Sequence, residues 1–150
     1  MFQPQDPNFK TRVRASFARQ RVMATLGIEM VHLEPGEVHL AMPLDLALTQ
    51  QHGFVHAGII TTALDSACGY AAFSLMPADA AVLTVEFKTS LLAPAKGDRF
   101  LFRAKALKPG RTLTFCEAQA LALSEDATEK LVATMTGTLM AIVGRQDVTH

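Results

Sequence analysis

The sequence predicts an α+β domain in which a curved antiparallel sheet wraps around one central helix. Three observations carry this prediction. Residues 59–75 are apolar or small on every side of a helix, the chain from Ala80 onward changes to a period of two, and turn signals separate runs of strand length. A helix without a polar face has to be covered by other elements, and a curved sheet covers it.

Length and composition favour one domain. The chain has 150 residues, of which 49% are hydrophobic, which is enough for one buried core and too little for two ordinary domains. We therefore expect a single domain over 1–150, with an N-terminal helix over 1–26, a core over 27–143 and a tail over 144–150.

Charge and cysteine usage exclude several function classes. Fourteen Lys and Arg balance fourteen Asp and Glu, so no net field attracts nucleic acid or an anionic membrane surface. No apolar run has the length of a membrane span. Cys68 and Cys116 lie far apart within apolar runs, as reduced buried thiols do. We expect a cytoplasmic protein that binds neither nucleic acid nor membrane.

The first third of the chain reads as a helix followed by a hairpin. The helix ends at Gly27 and carries apolar residues at spacing four, namely Phe9, Val13 and Phe17. Two short strands are predicted over 28–33 and 37–42, around the turn 34–36. A polar loop over 49–58 then leads directly into the central helix.

The second half of the chain reads as four long strands in an antiparallel meander. The first strand is predicted to alternate between two faces, one of which carries Leu83, Val85, Phe87, Thr89 and Leu91. Its other face carries Thr84, Glu86 and Lys88. Strands over 98–108 and 112–123 are joined by the turn 109–111, and a last strand covers 130–143.

Asp65 stands in the middle of the apolar helix. An ionised carboxylate there is costly unless it is paired, hydrogen-bonded or placed at a wet cleft. One interpretation is a general base or nucleophile whose pKa is set by partial desolvation. The other is a structural carboxylate that caps a loop or pairs with a buried arginine.

The start of the same helix can hold developing negative charge. Gly53 and Gly58 bracket His56, and the first N–H groups of a helix are unpaired and lie at the positive end of its dipole. Ala57 and Gly58 could therefore form an oxyanion hole that polarises a carbonyl. The alternative is that the two glycines only allow a tight loop.

The spacing of these groups predicts an oligomer. Ala57 and Asp65 lie about 12 Å apart along the axis of a helix, so one carbonyl cannot touch both. If both act on the same substrate, the helix start comes from one subunit and the carboxylate from another. A symmetric dimer with two composite sites follows.

The pattern Gln50, five residues, His56-Ala57-Gly58, six residues, Asp65 resembles the signature of PaaI-like hotdog thioesterases. In that family an Asn or Gln precedes His-Gly-Gly and an Asp or Glu follows on the helix. The resemblance covers most of the chain after the N-terminal helix. It implies a hotdog fold and hydrolysis of a short-chain, medium-chain or aryl acyl-CoA thioester by a dimer or tetramer.

The resemblance also implies a role for each residue. Asp65 is the general base or nucleophile, and the N–H of Ala57 polarises the thioester carbonyl. Gln50 lies near the leaving sulfur or the catalytic water, and His56 orients the loop. Thr84 resembles the Ser or Thr that positions water in some relatives, although it could equally be a plain strand threonine.

Two residues depart from the family pattern. Ala57 replaces the first glycine of the usual pair, which keeps the N–H and adds a methyl group. Gln50 stands where many relatives have Asn. No cofactor is expected, because CoA belongs to the substrate. No metal site is expected either, since His52 and His56 form a loop pair without a third and fourth ligand.

Several basic residues surround the predicted hairpin over 98–123. They could hold the phosphates of CoA or simply solvate an exposed surface, and the candidates are Arg103, Lys108, Gly110 and Arg111.

Two other functions remain open at this point. A hotdog hydratase or dehydratase of enoyl or 3-hydroxyacyl thioesters would pair Asp65 with a histidine, for which His52 or His56 could serve. A non-catalytic acyl-CoA binding protein would share the fold without the activity.

Overall fold

A computed structural model describes residues 2–145 and 147–148. Within these residues three α-helices and six strands follow in the order α1 (Phe9–Arg19), α2 (Arg21–Thr25), β1 (Glu29–Glu34), β2 (Glu37–Pro43), α3 (Ala57–Phe73), β3 (Ala81–Leu91), β4 (Arg99–Pro109), β5 (Leu113–Leu123) and β6 (Glu129–Ile142). A single 3-10 turn over Leu46–Leu48 stands between β2 and α3. In the described part of the chain, no helix is both long and apolar enough to cross a membrane.

The six strands form one antiparallel sheet in the order β1-β2-β4-β5-β6-β3. The predicted meander is therefore right for β4, β5 and β6 and wrong for β3, which pairs with β6 at the far edge. Helix α3 explains the difference. Its 17 residues span about 26 Å, which is enough to carry the chain across the three intervening strands.

Helix α3 packs its apolar side against the sheet. Ile60, Leu64, Ala67, Ala71 and Phe73 are each at most 1% exposed, and they belong to one core with buried residues of β2, β4 and β6, among them Leu40, Phe100, Phe102, Met135 and Leu139. This contact confirms the predicted sheet around a central helix and explains the apolar content of residues 59–75.

One side of α3 is not covered in the single chain. A stripe of residues remains exposed or half-exposed, namely Gly58, Thr61, Thr62, Asp65 and Gly69. The expectation that the helix is surrounded on all sides is therefore wrong for one chain. The sheet reaches only part of the helix, and α1 covers only its C-terminal end, where Phe17 stacks edge-on against Tyr70.

The N-terminal segment forms two helices, where the sequence predicts one. Gln20 separates α1 from α2 with an extended backbone (φ −77°, ψ 93°). Arg12 anchors α1 to α3, since its guanidinium bonds Asp6 at 2.7 Å and the carbonyl of Met76 at 2.8 Å. After the break, Met23 of α2 is buried in the main core.

A bulge in β3 changes which side chains share a face. Thr84 pairs with Leu139 and Glu86 with Thr138, so Val85 is the extra residue. Directly paired residues point to the same side of a sheet. Thr84 and Phe87 therefore both face α3, and the predicted common face for Leu83 and Phe87 is wrong. The alternating sequence pattern does not reveal the bulge. A bulge changes how the strand pairs, and the kinds of residue along the strand do not indicate where it lies.

Candidate active site

The start of α3 leaves one backbone donor free. The Nδ1 atom of the capping residue His56 accepts the N–H of Gly58 at 2.9 Å. The N–H groups of Ile59 and Ile60 bond to the carbonyl of His56 at 2.9 and 3.2 Å. In the part of the chain that the structure describes, only the N–H of Ala57 among the first four of the helix has no partner. Of the two predicted oxyanion donors, Gly58 has its N–H engaged by His56, and Ala57 is the one whose N–H has no partner among the described residues.

Replacing His56 tests this helix cap. We expect His56→Ala to lower the free energy of unfolding by about 1 kcal/mol, because the N–H of Gly58 loses its acceptor. This corresponds to a fall in Tm of about 2–4 °C for a chain of this size. His56→Asn is the matched control, since asparagine also caps helices. Equal unfolding curves for native protein and His56→Ala would show that the cap does not contribute.

An apolar cleft of about 370 Å³ opens beside Ala57. Gln50 lies on its wall, in a tight turn closed by the bond from the N–H of Gly53 to the carbonyl of Gln50 at 2.9 Å. Gly53 adopts φ +77°, which favours glycine at this turn. Most of the remaining lining is apolar and includes Phe54, Val55, Ile60, Leu91, Leu92 and Val132. The structure therefore brings Gln50 and Ala57 together in the lining of one apolar cleft.

Asp65 lies in a second, smaller pocket of about 90 Å³. The Oγ1 atom of Thr84 donates a hydrogen bond of 2.8 Å to its Oδ1. Burial raises the pKa of the Asp65 carboxyl, and the bond from Thr84 opposes that rise. Among the described residues no arginine or lysine lies within ion-pair distance of it. The structural alternative, a carboxylate paired with a buried arginine, is therefore not what the chain forms.

Thr84 is more than a plain strand threonine, because its hydroxyl orients the carboxylate. We expect Thr84→Val to lower kcat about tenfold by removing a hydrogen bond to a charged group. Because that bond lowers the pKa of Asp65, its loss raises the pKa further. The acid limb of the kcat/KM profile should then move to higher pH, whereas Thr84→Ser keeps the native profile. An unshifted profile for Thr84→Val would contradict the assignment.

Gln20 borders the Asp65 pocket, a position that the sequence analysis does not predict. The Oε1 atom of Gln20 is buried and has no hydrogen-bond partner among the described residues. A glutamine within a predicted helix is expected to lie on the surface. The break between α1 and α2 at Gln20 brings this residue to the lining of the pocket that holds Asp65.

The candidate residues fall into two groups within one chain. Gln50 and Ala57 border the larger cleft, and Asp65 and Thr84 border the smaller pocket. Along α3 the two groups are separated by about 12 Å, as the residue spacing requires. The single chain therefore holds the two groups of candidate residues in separate pockets.

The residues predicted to hold CoA phosphates do not form one cluster. Arg103 lies on the outer face of the sheet, where Glu129 binds its guanidinium at 2.7 and 3.2 Å. Gly110 and Arg111 border a separate depression beside Phe2. Lys108 is exposed near the end of β4. The charge of Arg103 is thus already balanced by Glu129. Among the predicted phosphate-binding residues, the cationic side chains that remain are those of Lys108 and Arg111.

His52 and His56 are exposed in the loop before α3. The Nδ1 atom of His56 is occupied by the helix cap. Neither histidine lines the pocket of Asp65. A hydratase site that pairs Asp65 with a histidine is therefore not assembled within one chain.

The chain matches the family model of the thioesterase superfamily over residues 52–127, which include α3 and the strands up to β5. A crystal structure of a thioesterase family protein from Silicibacter pomeroyi is 63% identical, with a TM-score of 0.89, and the match covers 91% of this chain and 99% of that one.

Two more distant structures share the fold. The PaaI protein of the E. coli phenylacetic acid degradation operon is 19% identical with a TM-score of 0.81, over 93% of this chain and 97% of that one. Thioesterase HI1161 from Haemophilus influenzae is 18% identical with a TM-score of 0.79, over 95% and 96%. At these identities the likeness concerns the fold, and it confirms the predicted hotdog architecture.

The matched segment contains α3 with Ala57 and Asp65, and an antiparallel sheet around a central helix is the architecture that the resemblance implied. The chain therefore belongs to the thioesterase superfamily and has the hotdog fold that it shares with PaaI.

Proposed function

We propose that the protein hydrolyses acyl-CoA thioesters at two composite sites of a homodimer. Each site combines Gln50 and Ala57 of one subunit with Asp65 and Thr84 of the partner subunit. The observation that carries this proposal is the separation of the free N–H and the carboxylate into different pockets of one chain. A second copy supplies what each half lacks.

Strand β3 supports self-association. It is an edge strand of 11 residues, so one row of its backbone N–H and C=O groups has no strand beside it. Large apolar side chains along it are exposed, including Val85 at 50%, Phe87 at 44% and Leu91 at 59%. The strand contains no proline and only two charged residues, Glu86 and Lys88, so most of this long edge is open as a template for pairing with another strand. The half-exposed stripe of α3 lies on the same side of the sheet as Phe87.

The positions of the half-sites along β3 fit an antiparallel pairing of two copies. Thr84, beside Asp65, lies near one end of the strand, and Leu91, beside the Ala57 cleft, lies at the other. If β3 pairs with its own copy about a two-fold axis at Lys88, and Val85 remains the extra residue, Thr84 lies opposite the partner's Leu91. Each Asp65 then approaches the cleft of the other subunit, and the symmetry gives two equal sites.

The geometry supports a separate chemical role for each group of the site. The N–H of Ala57 donates to the carbonyl oxygen of the thioester and stabilises the oxyanion that forms when the carbonyl carbon is attacked. Asp65 removes a proton from the attacking water, or attacks the carbonyl itself. The C–S bond then breaks, and the thiolate of CoA takes up a proton. The side-chain amide of Gln50 can donate to the leaving sulfur or hold the water.

A single turnover in water enriched in ¹⁸O distinguishes the two routes. Water attack places the label in the released acid during the first turnover. Attack by Asp65 forms an anhydride, and its hydrolysis at the side-chain carbonyl leaves the label in the Asp65 carboxylate.

The substrate class follows from the cleft. Its volume of about 370 Å³ and its apolar lining suit a short or medium acyl chain or one aryl ring. For the CoA phosphates we retain Lys108, Gly110 and Arg111 as candidates, because the charge of Arg103 is already balanced by Glu129.

The proposal is tested by following thiol release with a disulfide reporter. The substrates are short-chain, medium-chain and aryl acyl-CoAs, with the same acyl groups on a small thiol as controls. We expect release from CoA esters with higher kcat/KM than from the small esters. Equal rates for both would remove CoA from the proposal, and an absorbance change without thiol release from a crotonyl ester would indicate a hydratase. Saturable binding without turnover would indicate a binding protein.

A further inference from the structure

The outer face of the β1–β2 hairpin carries two histidines and a glutamate at one place. His32 pairs directly with His39 across the two strands, and their rings stack with centroids 4.5 Å apart. The Oε1 atom of Glu37 lies 2.8 Å from Nε2 of His39 and 4.0 Å from Nε2 of His32. Imidazole nitrogen and carboxylate oxygen are the ligands that zinc and related divalent ions prefer.

A bulge in β1 creates this arrangement. Met30 pairs with the buried Leu40, and His32 pairs with His39, so Val31 is an extra residue in the strand. Without it, His32 would follow Met30 onto the side of the sheet that faces the core. The bulge instead turns His32 to the outer face. Glu37 and His39, which are two residues apart in β2, lie on that same face.

The distances fit a single ion. Two ligand atoms that are each about 2.1 Å from one zinc ion lie at most about 4.2 Å apart. Both distances to Glu37 satisfy this limit. All three ligand atoms lie within 4.8 Å of one another, so small side-chain rotations close the site. The side chains are exposed by 40%, 49% and 22% for His32, Glu37 and His39, which leaves access for the ion and for water as a further ligand.

The neighbouring cations do not compete for Glu37. Arg103 pairs with His39 across β2 and β4, but its guanidinium is bound by Glu129. Lys105 pairs with Glu37 in the same register, but its Nζ atom is bound by Glu117 at 2.9 Å. Both of these cations are therefore paired with another carboxylate. The negative charge of Glu37 remains available to bind an ion.

We propose that His32, Glu37 and His39 bind one divalent transition-metal ion of the zinc class, with water completing its coordination. The site lies on the face of the sheet opposite α3, separate from both halves of the active site. The ion links the edge strand β1 to β2 and so fastens an edge of the sheet that only one neighbouring strand holds. Its role is structural, and it does not take part in thioester hydrolysis.

The experiment is a calorimetric titration of tag-free, chelator-treated protein with ZnCl₂, accompanied by Co²⁺ absorption spectra. We expect one ion per chain, and at least about tenfold weaker binding in His32→Gln and in His39→Gln, since each removes one ligand. Both variants keep a neutral polar side chain at an exposed or half-exposed position. His52→Gln, an exposed loop histidine outside the cluster, is the matched control and keeps the native affinity.

A second readout is the Tm. Zinc at a hundredfold excess over its native Kd should raise the Tm of the native protein by about 5–10 °C and that of His32→Gln by about half as much or less. The absence of binding heat in the native protein overturns the proposal, and so does an affinity in His32→Gln and His39→Gln equal to that of His52→Gln. Since all readouts are binding and unfolding, the result does not depend on thioesterase activity.

Discussion

Asp65→Asn is expected to lower kcat by about 10³-fold while the dimer stays intact. Asparagine has the same shape and can still accept the hydrogen bond from Thr84, but it can neither remove a proton from water nor attack a carbonyl. The measurement is thiol release from the preferred acyl-CoA, with gel filtration to check the oligomer. A loss of less than about tenfold in an intact dimer would contradict the role of Asp65.

The same substitution is expected to stabilise the protein at neutral pH. Burial raises the pKa of Asp65, so the folded chain holds this proton more tightly than the unfolded chain. Stability therefore falls as pH rises from the ordinary aspartate pKa through the raised one, and Asn avoids this loss. The Tm of Asp65→Asn should exceed that of native protein above this range and match it below. A lower Tm at neutral pH would show that the carboxylate has a stabilising partner.

Ala57→Pro is expected to lower kcat by about 10²- to 10³-fold, because it removes the one free N–H at the start of α3. Ala57 is the first residue of the helix, where proline is well tolerated. His56 already has the extended backbone that a residue before proline prefers, with φ −60° and ψ 137°. Ala57→Gly is the matched control, since it keeps the N–H, and it should retain activity.

These two inactive variants together test the composite site. When Asp65→Asn and Ala57→Pro chains assemble at random, half of the dimers are mixed. Each mixed dimer has one site with an intact Ala57 and an intact Asp65, so activity should return to about one quarter of the native value. Co-expression with two different tags allows the mixed dimer to be isolated. If both groups acted within one chain, mixing would restore nothing.

Much of the candidate site could be predicted because its residues lie close to one another in the sequence. A carboxylate in an apolar helix and a His-Ala-Gly start are visible in consecutive residues, and helix geometry alone gives the distance between Ala57 and Asp65. The sequence could not show that His56 takes the N–H of Gly58. That bond depends on the backbone angles of the cap, which the loop sets.

The sequence by itself determined most of the elements, the central helix and the candidate residues of the proposed site. Periodicity and turn residues act over a few positions, and each of these features is local. The tertiary structure decided which strands pair. It thereby also decided every feature that depends on the register between strands that are distant in the sequence. It placed β3 at the sheet edge, put a bulge at Val85 so that Thr84 reaches Asp65, and brought His32 beside His39. These outcomes depend on how the sheet closes over α3, because one extra residue in a strand reverses the side to which all later side chains point.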